Sequence, residues 1–190
     1  MSNNAGVAKG DPKAILKTVY EFVELLAFTV AAVLLLTLFV CRHSVVVGDS
    51  MINTLKEGEH LIISDLFYKP QTGDIVVFDD VSVEDKSKGE SSPLIKRVIA
   101  VGGQHVSITE QGIYVDGEKL SEPYVYTGDF YFGDYLYEEL ELDVPEGSLF
   151  VMGDHRNNSL DSRAFGVIDE GAVLGRVLFR LLPFTIYSRS

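Results

Sequence analysis

The chain has 190 residues and a formal net charge of -12, from 16 basic and 28 acidic residues. Residues 1–43 hold four basic and three acidic residues, so residues 44–190, with 12 basic against 25 acidic, carry the negative charge. That balance excludes nucleic acid as a partner, because such binding is driven by Lys and Arg displacing phosphate counterions. The single cysteine, Cys41, excludes an internal disulfide and a thiolate metal cluster.

The first predicted element is a membrane anchor. Leu25 to Cys41 reads LLAFTVAAVLLLTLFVC, 17 residues without a charge. At about 1.5 Å per residue this run approaches the length needed to cross a bilayer core of about 30 Å. The upstream stretch ILKTVYEFVE extends it, with Lys13, Lys17, Glu21 and Glu24 sharing one helix face. The core is long for a cleavable leader, and CRHSVVV follows in place of a small-x-small site, so the expectation is an uncleaved anchor. Residues 1–20 then form a cytoplasmic and juxtamembrane segment, 21–43 the anchor, and 44–190 an extracytoplasmic domain. Lys9, Lys13 and Lys17 before the run, against Arg42 and Lys56 after it, set a cytoplasmic N-terminus.

After residue 44 the periodicity changes to short β-branched runs. These are SVVV (44–47), HLIIS (60–64), DIVVFD (74–79), LIKRVIAV (94–101), HVSI (105–108), GIYV (112–115), SLFVM (148–152) and AVLGRVLF (172–179). Gly, Pro, Asp and Asn punctuate them and no long helical period intervenes, which predicts a mainly β, antiparallel, barrel-like domain. Within GIYVDGEKL, Asp116-Gly117 fits the two positive-φ positions of a hairpin turn. Residues 79–93 read as a polar loop, and 123–145 as an aromatic and acidic insertion: a ribbon, a lid-like excursion or a surface packing unit.

A serine stands at the end of the first β run, in VVVGDSMINT. It needs a proton acceptor before it can attack anything. The Gly-x-Ser-x-Gly elbow fails at Ile52, and the Ser-x-x-Lys pattern fails at Asn53. A GDSL-type esterase lacks its Asp-x-x-His and its α/β order. The four histidines, His43, His60, His105 and His155, offer no visible orienting partner and are expected at the surface or on strand edges. That leaves lysine. Strand alternation puts Lys96 on one face with Leu94, Val98 and Ala100, against Ile95 and Arg97 on the other. A lysine there either snorkels to solvent or loses its charge by desolvation and becomes a base; the pattern alone leaves both open.

Three blocks in order resemble those of bacterial type I signal peptidases, in particular the compact Gram-positive kind: VVVGDSMINTLKEGE after the apolar segment, DIVVF followed by LIKRVIAVGGQ, and VMGDHRNNSLDSRAFGVI. The similarity covers residues 25 to 180. It implies a membrane-bound serine endopeptidase with a Ser-Lys dyad, cutting the signal peptides of secreted preproteins at small-x-small sites, with no metal or cofactor. Ser50 would be the nucleophile and Lys96 the general base. The Ser50 backbone N–H would serve the oxyanion, with Gly48, Asp49 and Met51 around it. Ser159 matches the serine that hydrogen-bonds the lysine amine. Asp161 and Arg163 match an ion pair near the site, with Gly153, Asp154, Arg156, Asn158 and Ser162 shaping the turn. Val45, Val46 and Val47 would pair with extended substrate as an added strand. The partners implied are signal peptides and the lipid bilayer.

Several positions depart from that pattern, among them Phe165 or its neighbours in the tail of the third block. Asn53 stands where the family usually has proline, His155 where asparagine is commoner, and Gly48 where some relatives supply a serine hydroxyl to the oxyanion. Two other readings share the residues: a self-cleaving regulator of the DNA-damage repressor type, and a non-catalytic membrane-anchored assembly factor with the same fold.

Overall fold

The computed structural model describes residues 12–40, 42–79, 93–126, 139–181 and 185–186. The chain divides between residues 40 and 41 into two compact units.

The first unit is one helix, α1 (Pro12–Val40). A proline suits the first helical position, where its missing N–H costs no bond. Lys17 and Glu21 lie 3.8 Å apart on the exposed face, a pairing worth a few tenths of a kcal/mol. Thr29 turns its hydroxyl back onto the Leu25 carbonyl at 2.8 Å, so this hydroxyl needs no outside partner within the apolar run. Ile15–Leu35 is long and apolar enough to cross a membrane. The helix therefore starts well before residue 21 and stops before 43. Arg42 and His43, expected in the anchor, are in strand, because β1 (Arg42–Val45) pairs antiparallel with β2 (His60–Ser64), Arg42 opposite Ile63.

The second unit is antiparallel β, as the alternation predicted. β1 and β2 are followed by β3 (Ile75–Phe78), β4 (Leu94–Val101), β5 (His105–Thr109), β6 (Gly112–Val115) and β7 (Glu118–Lys119). Then come β8 (Leu140–Asp143), β9 (Ser148–Met152), the four-residue helix α2 (Ser162–Phe165), β10 (Ile168–Asp169), β11 (Val173–Arg180) and β12 (Thr185–Ile186). One sheet runs β1-β2-β11-β3-β4-β9-β10, with β12 on β11; the other runs β7-β6-β5-β8. Asp116 and Gly117, at φ 52° and 81°, close the β6–β7 hairpin as expected.

Two local differences matter for the site. A bulge between Val98 and Ala100 breaks the alternation of β4, so Ala100 leaves the Lys96 face and packs with Phe150 and Val106. Leu94 and Val98 stay in one cluster with Val76, which stands directly opposite Lys96. The 123–145 stretch is also less separate than expected. Its end forms β8, a full strand beside β5, because Leu140 and Leu142 alternate inward against Val106 and Ile108. Residues 127–138 of that stretch, and 80–92 of the polar loop, lie outside the described residues.

Candidate active site

Three segments meet. β1 leads through Val46 and Val47 into the turn Gly48–Leu55; β4 carries Lys96 and Arg97 at its middle; β9 runs out into Gly153–Asp154–His155. The turn is held from below by apolar anchors. Val46, Met51 and Leu55 are buried in one cluster with Leu61, Ile63 and Val177. The Leu55 N–H donates to the Met51 carbonyl at 2.8 Å, and the peptide between Ile52 and Asn53 is cis. Ser50 sits above this anchor, half-buried.

Lys96 Nζ lies 2.7 Å from Ser50 Oγ across 46 residues of sequence. The lysine is 3% exposed. Removal from water brings its pKa down to about 8; Arg163 pushes further down, while the Asp161 and Asp154 carboxylates pull part of the way back. The snorkelling alternative is therefore set aside: the amine points inward, onto a hydroxyl. No hydrogen bond from the Ser50 N–H is made to any described residue.

The surroundings are a set of satisfied charges. Asp154 is fully buried and takes a bidentate pair from Arg97, Nε at 2.8 Å and Nη2 at 2.6 Å, plus a short hydrogen bond from the Thr54 hydroxyl. Arg97 also donates to the Gly73 carbonyl at 2.8 Å and stacks 3.8 Å over the Tyr124 ring. Asp161 receives Arg163 through Nε and Nη2, both at 2.8 Å, caps α2, and accepts the Gly153 N–H at 3.0 Å. Arg156 pairs with Glu122 and donates to the Gly153 carbonyl at 3.0 Å. The Ser162 hydroxyl accepts the Val151 N–H at 2.9 Å. Arg97 with Asp154 and Arg156 with Glu122 pair across separate segments, Arg163 with Asp161 within one, and removing one partner of such a buried pair would strand the other at a cost of about 3–5 kcal/mol.

The expected residues are brought together, and the structure differs from expectation at three positions. Ser159 Oγ is buried but makes no hydrogen bond to a described residue, so the expected bond to the lysine amine is not formed; among the described residues the amine bonds to the Ser50 hydroxyl. Ser159 does close the site sterically: a Cβ on Gly153 would lie 2.3 Å from its Oγ and 2.5 Å from the Ser50 carbonyl. Only glycine fits there. Asn158 is exposed and its neighbour Asn157 is buried instead, because the short 3₁₀ turn Arg156–Asn158 rotates one residue outward. His155, expected at the surface, is 8% exposed beneath Ser50, since its place three residues after β9 carries it into the interior. The other three histidines fit the expectation: His43 and His60 are exposed, their nearest ring nitrogens 2.7 Å apart, and His105 pairs at the surface with Asp143.

Sequence reasoning missed Arg97, Thr54, Glu122 and Tyr124. For Arg97 a signal existed: a second basic residue in an apolar strand needs a buried carboxylate somewhere. Pattern could not say which. At the edge, Val47 is 76% exposed, Val45 41% and Val46 2%. Val46 spends both backbone groups on the Glu59 carbonyl and the Gly58 N–H, each at 2.9 Å. By the two-residue period, the backbone groups of Val45 and Val47 face away from β2, and among the described residues β1 pairs with β2 alone.

An antiparallel β body that presses a serine against a desolvated lysine is the scaffold of a serine peptidase. The chain belongs to the signal peptidase family, peptidase S26, whose model matches residues 19–182. Among curated proteins it is 36% identical over 169 residues to a probable signal peptidase I-1 of Synechocystis sp., covering 86% of this chain and 82% of the relative. It is 31% identical over 189 residues to signal peptidase IB of Staphylococcus aureus, covering 92% and 95%. A signal peptidase I structure from Enterococcus faecalis is 30% identical, covering 57% of this chain and 97% of that one, with a TM-score of 0.43.

Proposed function

We propose that this protein is a membrane-anchored serine endopeptidase that removes signal peptides from secreted preproteins, with Ser50 as nucleophile and Lys96 as general base. The observation that carries the reading is the 2.7 Å approach of a buried lysine amine, its pKa brought down to about 8, to the Ser50 hydroxyl. The names of the relatives supply the substrate class.

In the acylation step neutral Lys96 takes the Ser50 proton as Oγ adds to the scissile carbonyl. The Ser50 N–H, free of protein partners among the described residues, donates to the developing oxyanion; in other hydrolases loss of such a donor costs about 3–4 kcal/mol. The resulting ammonium returns its proton to the departing amine. Neutral Lys96 then deprotonates a water that releases the acyl group. Asp154 with Arg97, and Asp161 with Arg163, fix the walls around the amine while the surrounding apolar side chains keep it poorly solvated.

Substrate enters as a strand against the free edge formed by Val45 and Val47, whose exposed side chains give shallow contacts suited to small residues at the cleavage site. The helix α1 anchors the enzyme in the bilayer that also holds the substrate's apolar leader, which presents the scissile bond at a fixed height. We place the N-terminus in the cytoplasm and the β domain outside. A cleavage assay on preproteins in detergent, with products mapped, tests the whole: Ser50→Ala and Lys96→Ala should each abolish processing, and full activity in either variant refutes the dyad.

A further inference from the structure

Besides its apolar anchors, the nucleophile turn is held by a polar residue, His155, one of the departures from the family pattern. Its backbone N–H donates to the Ser50 carbonyl at 3.0 Å, and its ring Nδ1 lies 3.2 Å from the Asp49 carbonyl. A carbonyl only accepts, so Nδ1 carries the proton in this contact. His155 therefore grips the two peptide groups on either side of Ser50, one with its main chain and one with its ring. The ring is fixed in turn by Tyr126, whose ring meets it edge-on with centroids 4.9 Å apart. The Tyr126 N–H donates to the Asp154 carbonyl at 2.9 Å.

The ring contact bears on chemistry through planarity. The Asp49 carbonyl and the Ser50 N–H belong to one trans peptide unit, so they point in opposite directions and turn together. A donor on the carbonyl fixes the direction of the N–H, and it also polarises the amide so that the N–H becomes a stronger donor. We infer that His155 is a positioning residue that aims and polarises the Ser50 N–H as the oxyanion donor, through the hydrogen bond of its Nδ1–H to the Asp49 carbonyl. This rests on the reading of Ser50 as nucleophile. It also answers how a site with Gly48 in place of a donor side chain stabilises an oxyanion: the one backbone donor is reinforced from behind.

The geometry separates this role from packing. Asparagine puts an amide nitrogen as many bonds from Cα as Nδ1 and can make the same contact; glutamine puts it one bond further; leucine fills space and donates nothing. The test uses the full chain in detergent, a peptide substrate spanning a signal-peptide cleavage site, and the variants His155→Asn, His155→Gln and His155→Leu. Loss of an oxyanion donor outright costs about 100- to 1000-fold in kcat, so loss of its reinforcement should cost about 10- to 50-fold. The leucine and glutamine variants should fall by that factor in kcat with KM unchanged, and the asparagine variant should stay within about 3-fold of the parent. Acylation of Ser50 by a small β-lactam-type electrophile, which needs the same donor but not the edge strand, should slow in step with kcat. If leucine fails to fold, the asparagine–glutamine comparison carries the test. Near-parental kcat in the glutamine and leucine variants, an asparagine variant as slow as leucine, a loss confined to KM, or an unchanged acylation rate would each overturn the inference. Activity in a parallel Ser50→Ala variant would instead refute the serine mechanism on which it rests.

Discussion

A lysine base makes the rate depend on pH in a way the structure quantifies. With a pKa of about 8 in place of 10.5, about half of the Lys96 amine is neutral at pH 8, about 10% at pH 7 and about 1% at pH 6. An unshifted lysine would be neutral in only about 0.03% of molecules at pH 7, so burial raises the working form by roughly 300-fold. The sign follows from the charge: desolvation disfavours the ammonium, so lowering pH through about 8 converts base to inert acid. For a substrate without groups titrating between pH 5.5 and 9.5, kcat/KM should rise about 50-fold from pH 6 to pH 8, with unit slope on the acid limb, and level off above pH 9. The perturbation that tests the cause is Arg163→Met, since the Arg163 charge helps hold the amine down and leaves Asp161 unopposed when removed. Its acid limb should move to higher pH, measured at several ionic strengths in the same detergent. A rate flat from pH 6 to 9, or a limb that stays in place in this variant, would refute the account of Lys96 as a desolvated base.

The same shift has a stability consequence. The unfolded chain binds a proton on Lys96 between pH 8 and 10.5 that the native state releases, so the cost of burying the amine is full below about pH 8 and vanishes above pH 10.5. Lys96→Met should therefore be inactive yet about 3 kcal/mol more stable than the parent at pH 7, the gap closing by pH 10.5, as followed in urea by near-UV circular dichroism. Asp154→Asn leaves Arg97 buried without its carboxylate and should cost about 3–5 kcal/mol in the same assay. Gly153→Ala puts a methyl 2.3 Å from Ser159 Oγ and 2.5 Å from the Ser50 carbonyl, so cleavage should fall by at least 100-fold; a near-parental rate would mean the turn is looser than its contacts imply. Leu55→Ala, beneath the nucleophile turn, should destabilise by about 2–5 kcal/mol in urea.

What the sequence determined by itself is local. β-Branched alternation placed β2, β4, β6 and β9 within a residue at each end, because the two-residue period and its Gly or Asp punctuation are written in consecutive side chains. The Asp116-Gly117 hairpin was legible for the same reason, as was the long apolar run inside α1. Motif order singled out Ser50 and Lys96. The tertiary structure decided which side chains meet. Arg97 finds Asp154 57 residues away only because β4 lies beside β9, and that neighbourhood depends on strand order, which no local window contains. The bulge that moves Ala100 off the Lys96 face, the strand β8 inside an apparent insertion, and a Ser159 hydroxyl that faces Gly153 rather than the amine are likewise outcomes of packing between distant segments. The same holds for His155: its letter reads as an ordinary polar turn residue, and its hold on both peptides of Ser50 exists only once β9 has carried it under the nucleophile.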